Sequence, residues 1–217
     1  AVDKSNVSKG EQILATVKLY ISQNVPLNGF DDVKLPSYEG FWTKDIEVPT
    51  QINFTREVFN GRIYQVGVLK KTILFPQQTG NIRIDPFEIS CLVRQRVRQQ
   101  QSFFDDFFDN YRVVKAKVVS DPVTINVKDL PGQPDGFTGA VGNFSFSGTL
   151  DKTEGKTNEA MTLKLTVSGN GNLNLINPPK LELPQDFESY EPKTSDKTIA
   201  SESGMSGSIS FEYLFIP

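Results

Sequence analysis

Ile13-Leu14-Ala15-Thr16-Val17-Lys18-Leu19-Tyr20-Ile21 and Met161-Thr162-Leu163-Lys164-Leu165-Thr166-Val167 decide the fold. In the first, Ile13, Ala15, Val17, Leu19 and Ile21 alternate with Leu14, Thr16, Lys18 and Tyr20. In the second, Met161, Leu163, Leu165 and Val167 alternate with Thr162, Lys164 and Thr166. A period of two is the mark of a strand with one buried face and one wet face. The similarity extends outward. Val2-Asp3-Lys4-Ser5 is echoed by Leu150-Asp151-Lys152-Thr153, Glu11 by Glu159 and Pro36 by Pro184, all at one offset. Ile73-Leu74-Phe75-Pro76 is echoed by Leu214-Phe215-Ile216-Pro217 at a slightly shorter offset, as loops of different length allow. A repeat this long is a duplicated domain, not a solenoid unit.

The remaining strands of the first copy follow from composition. Arg62 to Phe75 is β-rich, with its alternation disturbed near Gly67, which predicts a bulge or a switch of face. Gln77-Gln78-Thr79-Gly80 is a turn signal. Phe87, Ile89, Cys91 and Val93 alternate with Glu88, Ser90 and Arg94. Tyr111 to Val119 and Val123 to Val127 read as strands separated at Ser120-Asp121-Pro122, where proline forces an edge or a break. Many short strands joined by turns, without helical crossovers, predict an all-β protein of two tandem immunoglobulin-like β-sandwich domains. The expected boundaries are 1–129 for the first domain, 130–136 for a Pro/Gly linker and 137–217 for the second. By comparison with the first copy, the second is expected to be incomplete, without its last two strands.

Composition excludes several functions. The chain has 217 residues, no histidine and one cysteine, Cys91. That removes the commonest general base and metal ligand, an internal disulfide and a Cys-based zinc site. The formal net charge of −3 gives no nucleic-acid surface. No run of residues is long and apolar enough to cross a bilayer. The expectation is a protein that is not an enzyme, with no catalytic residue, metal or cofactor. Cys91 shares the parity of its apolar neighbours and reads as a core residue. The serines of Ser201-Glu202-Ser203-Gly204-Met205-Ser206-Gly207-Ser208 have no base to activate them and read as a flexible hairpin connection.

Ser102-Phe103-Phe104-Asp105-Asp106-Phe107-Phe108-Asp109-Asn110-Tyr111 is the most unusual segment. On a helical wheel Phe103, Phe104, Phe107, Phe108 and Tyr111 share one side, and Asp105, Asp106, Asp109 and Asn110 the other. Ser102 with Asp105 resembles a capping box. A short amphipathic helix is expected here, inserted near the end of the first domain. Its rings either close their own sandwich or dock on a partner; self-docking is favoured, because large exposed apolar patches are uncommon on monomers. Phe103, Phe104, Asp105, Asp106, Phe107, Phe108, Asp109 and Tyr111 are the candidate partner-binding residues. The DDxxD spacing at Asp105-Asp106-Phe107-Phe108-Asp109 also occurs in terpenoid synthases, but without a bundle of long helices it has no cavity to serve. The basic run Arg94-Gln95-Arg96-Val97-Arg98 reads as a solvated strand end. Tyr38, Phe41 and Trp42 raise an alternative, a glycan- or cell-wall-binding module with a stacking platform.

The sequence resembles the BatD family of oxygen-tolerance (aerotolerance) proteins. The resemblance rests on Gly40-Phe41-Trp42-Thr43-Lys44-Asp45-Ile46, Leu74-Phe75-Pro76 with Thr79-Gly80, Phe103 to Tyr111, Ser120-Asp121-Pro122-Val123-Thr124, Gly136 to Phe144, Gly169-Asn170-Gly171-Asn172-Leu173 and Asn177-Pro178-Pro179-Lys180-Leu181. It implies a stress-response protein on the periplasmic side of the inner membrane, anchored by a transmembrane helix outside these residues. It also implies protein partners, namely membrane proteins with von Willebrand A domains and TPR-containing proteins. No catalytic residue is carried over. Von Willebrand A domains often hold a metal completed by a partner's carboxylate, which Asp105, Asp106 or Asp109 is placed to supply.

Overall fold

A computed structural model describes residues 1–96, 111–133, 137 and 139–217. Among them the protein is all-β, with one 3-10 turn at Leu173–Leu175 as its only helical element. The strands are β1 (Asn6–Ser8), β2 (Ile13–Ser22), β3 (Leu27–Lys34), β4 (Phe41–Ile46), β5 (Phe54–Phe59), β6 (Arg62–Pro76), β7 (Gly80–Ile84), β8 (Glu88–Arg96), β9 (Tyr111–Val119) and β10 (Val123–Lys128). They continue with β11 (Gly142–Leu150), β12 (Met161–Gly171), β13 (Glu188–Ser189), β14 (Lys193–Ser201) and β15 (Gly204–Ile216). The expected amphipathic helix falls on residues outside the described ones, except for Tyr111, which the structure places as the first residue of β9.

Strand pairing separates the N-terminal from the C-terminal strands. β6 pairs with β2 along one side, and with β4 and then β5 along the other. Two smaller sheets, β1-β10-β7 and β3-β8-β9, pack on the same face of this sheet. Proline divides those two sheets. Pro86 separates β7 from β8, and Pro122 separates β9 from β10, so both chains change sheet at one level. The Phe87 N–H donates to Ser120 Oγ (3.0 Å) and the Ser120 N–H to the Phe87 carbonyl (2.9 Å), tying the corner together. The break expected at Ser120-Asp121-Pro122 is therefore a sheet switch. The irregularity expected near Gly67 is a bulge between Val17 and Lys18 of β2, with Leu69 the extra residue on β6. At Gly67 itself a side chain would collide with Ile52 and Phe54.

Two apolar clusters fill the N-terminal interior. Ile13, Leu74, Ile82, Ile125 and Val127 meet in one, and Leu19, Ile21, Phe87, Ile89 and Cys91 in the other. Cys91 is buried and unpaired, and burial pushes its thiol pKa up. Burying side chains of this size contributes roughly 1.5–3 kcal/mol each, which makes these two clusters the main source of order. The C-terminal strands form one sheet, β11-β12-β15, extended by β13 and β14. Its apolar face is covered by Leu173, Ile176 and Leu181 over Leu165, Ile209, Phe211 and Tyr213. The Tyr213 hydroxyl donates to the Pro179 carbonyl at 2.5 Å, holding that cover down.

The repeat survives in atomic detail. The Leu14 N–H donates to Asp3 Oδ1 at 2.7 Å, and the Thr162 N–H to Asp151 Oδ1 at 2.8 Å. Lys4 pairs with Glu11, and Lys152 with Glu159. The other oxygen of each glutamate accepts a backbone N–H, from Ser8 and from Lys156. Gly10 (φ +77°) and Asn158 (φ +65°) occupy the same left-handed position, which glycine and asparagine tolerate best. Their N–H groups donate to the Pro76 and Pro217 carbonyls, both at 2.9 Å. The register agrees too, because Ile13 faces Leu74 as Met161 faces Phe215. The two echoes, at their two different offsets, are thus joined across one pair of strands in each copy.

Candidate interaction surface

β2 and β6 run the length of the N-terminal part, with β7 followed by β8 and β9 followed by β10 over them, and give it two unlike ends. At one end lie the start of β2 and the close of β6. There the outer face of the β2–β6–β4 sheet meets the C-terminal sheet. Ile73, Phe75 and Met205 are buried together, with Trp42, Ile46 and Ala200 packed around them. The Met205 N–H donates to Gln12 Oε1 at 2.9 Å, and Lys71 pairs with Glu202. Asn172 is 0 % exposed. Its Nδ2 donates to the Gly139 carbonyl (2.9 Å) and more weakly to that of Gly10 (3.5 Å), and its Oδ1 accepts the Val141 N–H (2.7 Å). A buried amide with its partners satisfied fixes geometry that apolar contacts alone leave loose. The Ser201–Ser208 stretch, expected as a flexible hairpin connection, is a hairpin, with a tight turn at Glu202-Ser203 followed by the first residues of β15. Met205 inside it is 1 % exposed, because the apolar face that buries it belongs to distant chain.

A cavity of about 460 Å3 opens beside this joint, lined by Lys9, Gln77, Gln133, Asn174 and Asn177 among others. Among the described residues lining it, Lys9 is the one titratable group, so they bring no acid–base pair together. Among the described residues no group of three or more Asp, Glu or Cys gathers as a metal site. Ser145 is hydrogen-bonded with Ser168, and Ser201 with Ser203. Tyr38 and Phe41 pack against the interior cluster, and Trp42 stacks on Phe75 with ring centroids 5.7 Å apart. The three rings raised as a glycan platform are half-buried, each with part of its surface in these contacts.

The opposite end is different. β5 and β6 run past the last pair of β2, Ser22 with Tyr64, and close at Asn60-Gly61. Both residues have positive φ (48° and 73°), the type I′ geometry that suits hairpin twist. On one face Val58 and Ile63 are opposite each other, 73 % and 52 % exposed. On the other, the rings of Tyr20, Phe59 and Tyr64 cluster with centroids 5.2–6.5 Å apart. Glu57 there is engaged by Lys18 and the Tyr20 hydroxyl. The same end carries Arg96 and Tyr111, paired across β8 and β9, which flank the segment between them in the chain. Phe103, Phe104, Asp105, Asp106, Phe107, Phe108 and Asp109 lie outside the described residues. Tyr111 is 50 % exposed, as is Val113 beside it at 51 %. Sequence reasoning picked out Tyr111 but missed the hairpin tip, although Asn60-Gly61 between Val58-Phe59 and Ile63-Tyr64 is a strong turn signal.

No described helix is long and apolar enough to cross a membrane. Residues 148–217 match the family model described as BatD DUF11 like domain. That span takes in most of the C-terminal sheet, from within β11 to the end of β15. No curated protein matches the chain.

Proposed function

From a C-terminal third consistent with a BatD family member, we infer that the chain is a non-catalytic scaffold of a membrane-associated aerotolerance complex. Its two β parts form a strut that holds membrane proteins together on the periplasmic side. The observation that carries the reading is the contrast between the ends. One end is locked through Asn172, Gln12 and Met205, and the other exposes apolar side chains that a monomer in isolation rarely displays. Partner proteins with von Willebrand A or TPR domains dock at that exposed end, and the chain contributes the segment from Phe103 to Tyr111 to the contact. The absence of histidine and the burial of the one thiol support a role without chemistry.

The test is in-membrane crosslinking of the full-length protein with a photoreactive residue in place of Tyr111. The same probe at Ser145, on the outer face of the C-terminal sheet, serves as control. The reading expects a von Willebrand A-domain protein crosslinked at Tyr111 and not at Ser145. Equal labelling at both positions, or none at Tyr111, contradicts it. The glycan-binding alternative finds no support in the packing of Tyr38, Phe41 and Trp42.

A further inference from the structure

The β5–β6 hairpin tip presents apolar residues on both of its faces, an arrangement suited to immersion in an interfacial layer. Val58 and Ile63 project from one side, Phe59 from the other, all at least half exposed. The interfacial layer of a bilayer surrounds a protruding tip on every side, and apolar and aromatic residues lodge there about 5–10 Å deep.

Charge at this end points the same way. Arg56 and Arg62 on the hairpin, and Arg94 and Arg112 on β8 and β9, are exposed. The one described acid at the tip, Glu57, is held by Lys18. The turn between β2 and β3, Gln23-Asn24-Val25-Pro26, carries no charge and exposes Val25. Residues 97–110, with Arg98 and three aspartates, lie outside the described residues. The described part of this end is therefore basic in a protein of formal net charge −3. Arginines around an apolar tip match anionic headgroups around acyl chains.

We propose that the end of the N-terminal part bearing the β5–β6 hairpin docks on an anionic lipid surface, with Val58, Phe59 and Ile63 entering the interface and Arg56 and Arg62 engaging lipid phosphates. This contact is separate from any transmembrane anchor and does not depend on the protein-partner reading. Docking would set the strut with its joint away from the bilayer.

The test is co-sedimentation of this chain with unilamellar vesicles, either phosphatidylglycerol with phosphatidylethanolamine or phosphatidylcholine alone. The result expected is binding to the anionic vesicles that weakens with salt, and little binding to the neutral ones. Arg56→Gln with Arg62→Gln lowers binding by about fivefold per arginine removed. Val58→Ser, Phe59→Ser and Ile63→Ser together abolish it, while circular dichroism shows the fold intact. Should the serine variant unfold, Phe59→Trp gives a second reading. Its emission, taken as the difference from wild type to remove the signal of Trp42, shifts to the blue on anionic vesicles. No binding to anionic vesicles at low salt overturns the proposal. So does binding that is the same in the arginine variant, or a Phe59→Trp emission that vesicles leave unmoved.

Discussion

The strand pair β2–β6 and the strand pair β12–β15 begin from the same clasp and end in different surroundings. In both, an aspartate caps the N–H of the second strand residue, and a lysine–glutamate pair seven residues apart closes the loop. The left-handed residue of each donates to a proline carbonyl at the close of its partner strand, Pro76 ending β6 and Pro217 following β15. Beyond the clasp they diverge. The first pair is covered by two sheets, β1-β10-β7 and β3-β8-β9, and by the bulge at Leu69 that bends β6 toward them. The second is covered by one 3-10 turn and a proline-rich loop. It leaves Phe146 65 % exposed on the β11 edge. The clasp is local and is written within one stretch of a dozen residues. The cover is assembled from distant chain, so the same start can be given a different roof.

That difference can be broken or sharpened by matched substitutions. Ile13 and Met161 occupy the same place in the two copies, and Ile13 is fully enclosed. Ile13→Ala is expected to cost about 4 kcal/mol and Met161→Ala about 2, since the thinner cover relaxes more readily around a lost side chain. Chemical denaturation measures both; equal losses mean that the two covers are equally tight. Asp3→Ala and Asp151→Ala are expected to cost about 1 kcal/mol each, because each removes one charge-assisted bond at an exposed site. The prediction here is equality. A large difference between these two variants means that the clasp is conserved in shape and not in strength.

The smallest effect concerns pH. For Glu11, burial acts to raise the pKa and is outweighed by the bonds from Lys4 and the Ser8 N–H, so the carboxyl lies below its usual value. Glu159 is lowered by Lys152 and by the Lys156 N–H. A carboxylate depressed in the folded state stabilises it above the unfolded pKa, and that stability is lost as pH falls through the folded value. Melting temperature should therefore drop as pH falls below the ordinary glutamate value of 4.5. Glu11→Gln and Glu159→Gln should each flatten part of that fall, which thermal melts across the acid range would record.

Much of the fold was legible because its signals are local. Alternation located β2 and β12, and two echoes at unequal offsets matched residues that the structure pairs across the sheet. Pro122 announced the break between β9 and β10. The sheet switch there was not legible, since it depends on Pro86 and the Phe87–Ser120 bonds, which only the folded chain brings together. Met205 was hidden for the same reason. It sits in a serine- and glycine-rich stretch whose composition favours a loop, and its burial comes from Ile73 and Phe75 far away in sequence. Asn172 entered the sequence reading only within a stretch that carries the family resemblance, and nothing local marks it as the keystone of the joint. The candidate interaction surface was only partly legible. Tyr111 was named from its aromatic spacing, whereas Val58, Phe59 and Ile63 were passed over because their exposure depends on where β2 stops.

The central claim is that the joint makes the two β parts one mechanical body, and scanning calorimetry of wild type and Asn172→Ala tests it most directly. The substitution leaves the Val141 N–H and two carbonyls without their partner, at a cost of about 1–3 kcal/mol. Wild type is expected to unfold in one transition, and Asn172→Ala in two separated ones as the parts lose their coupling. Two independent transitions in wild type, unaltered by the substitution, would contradict the account.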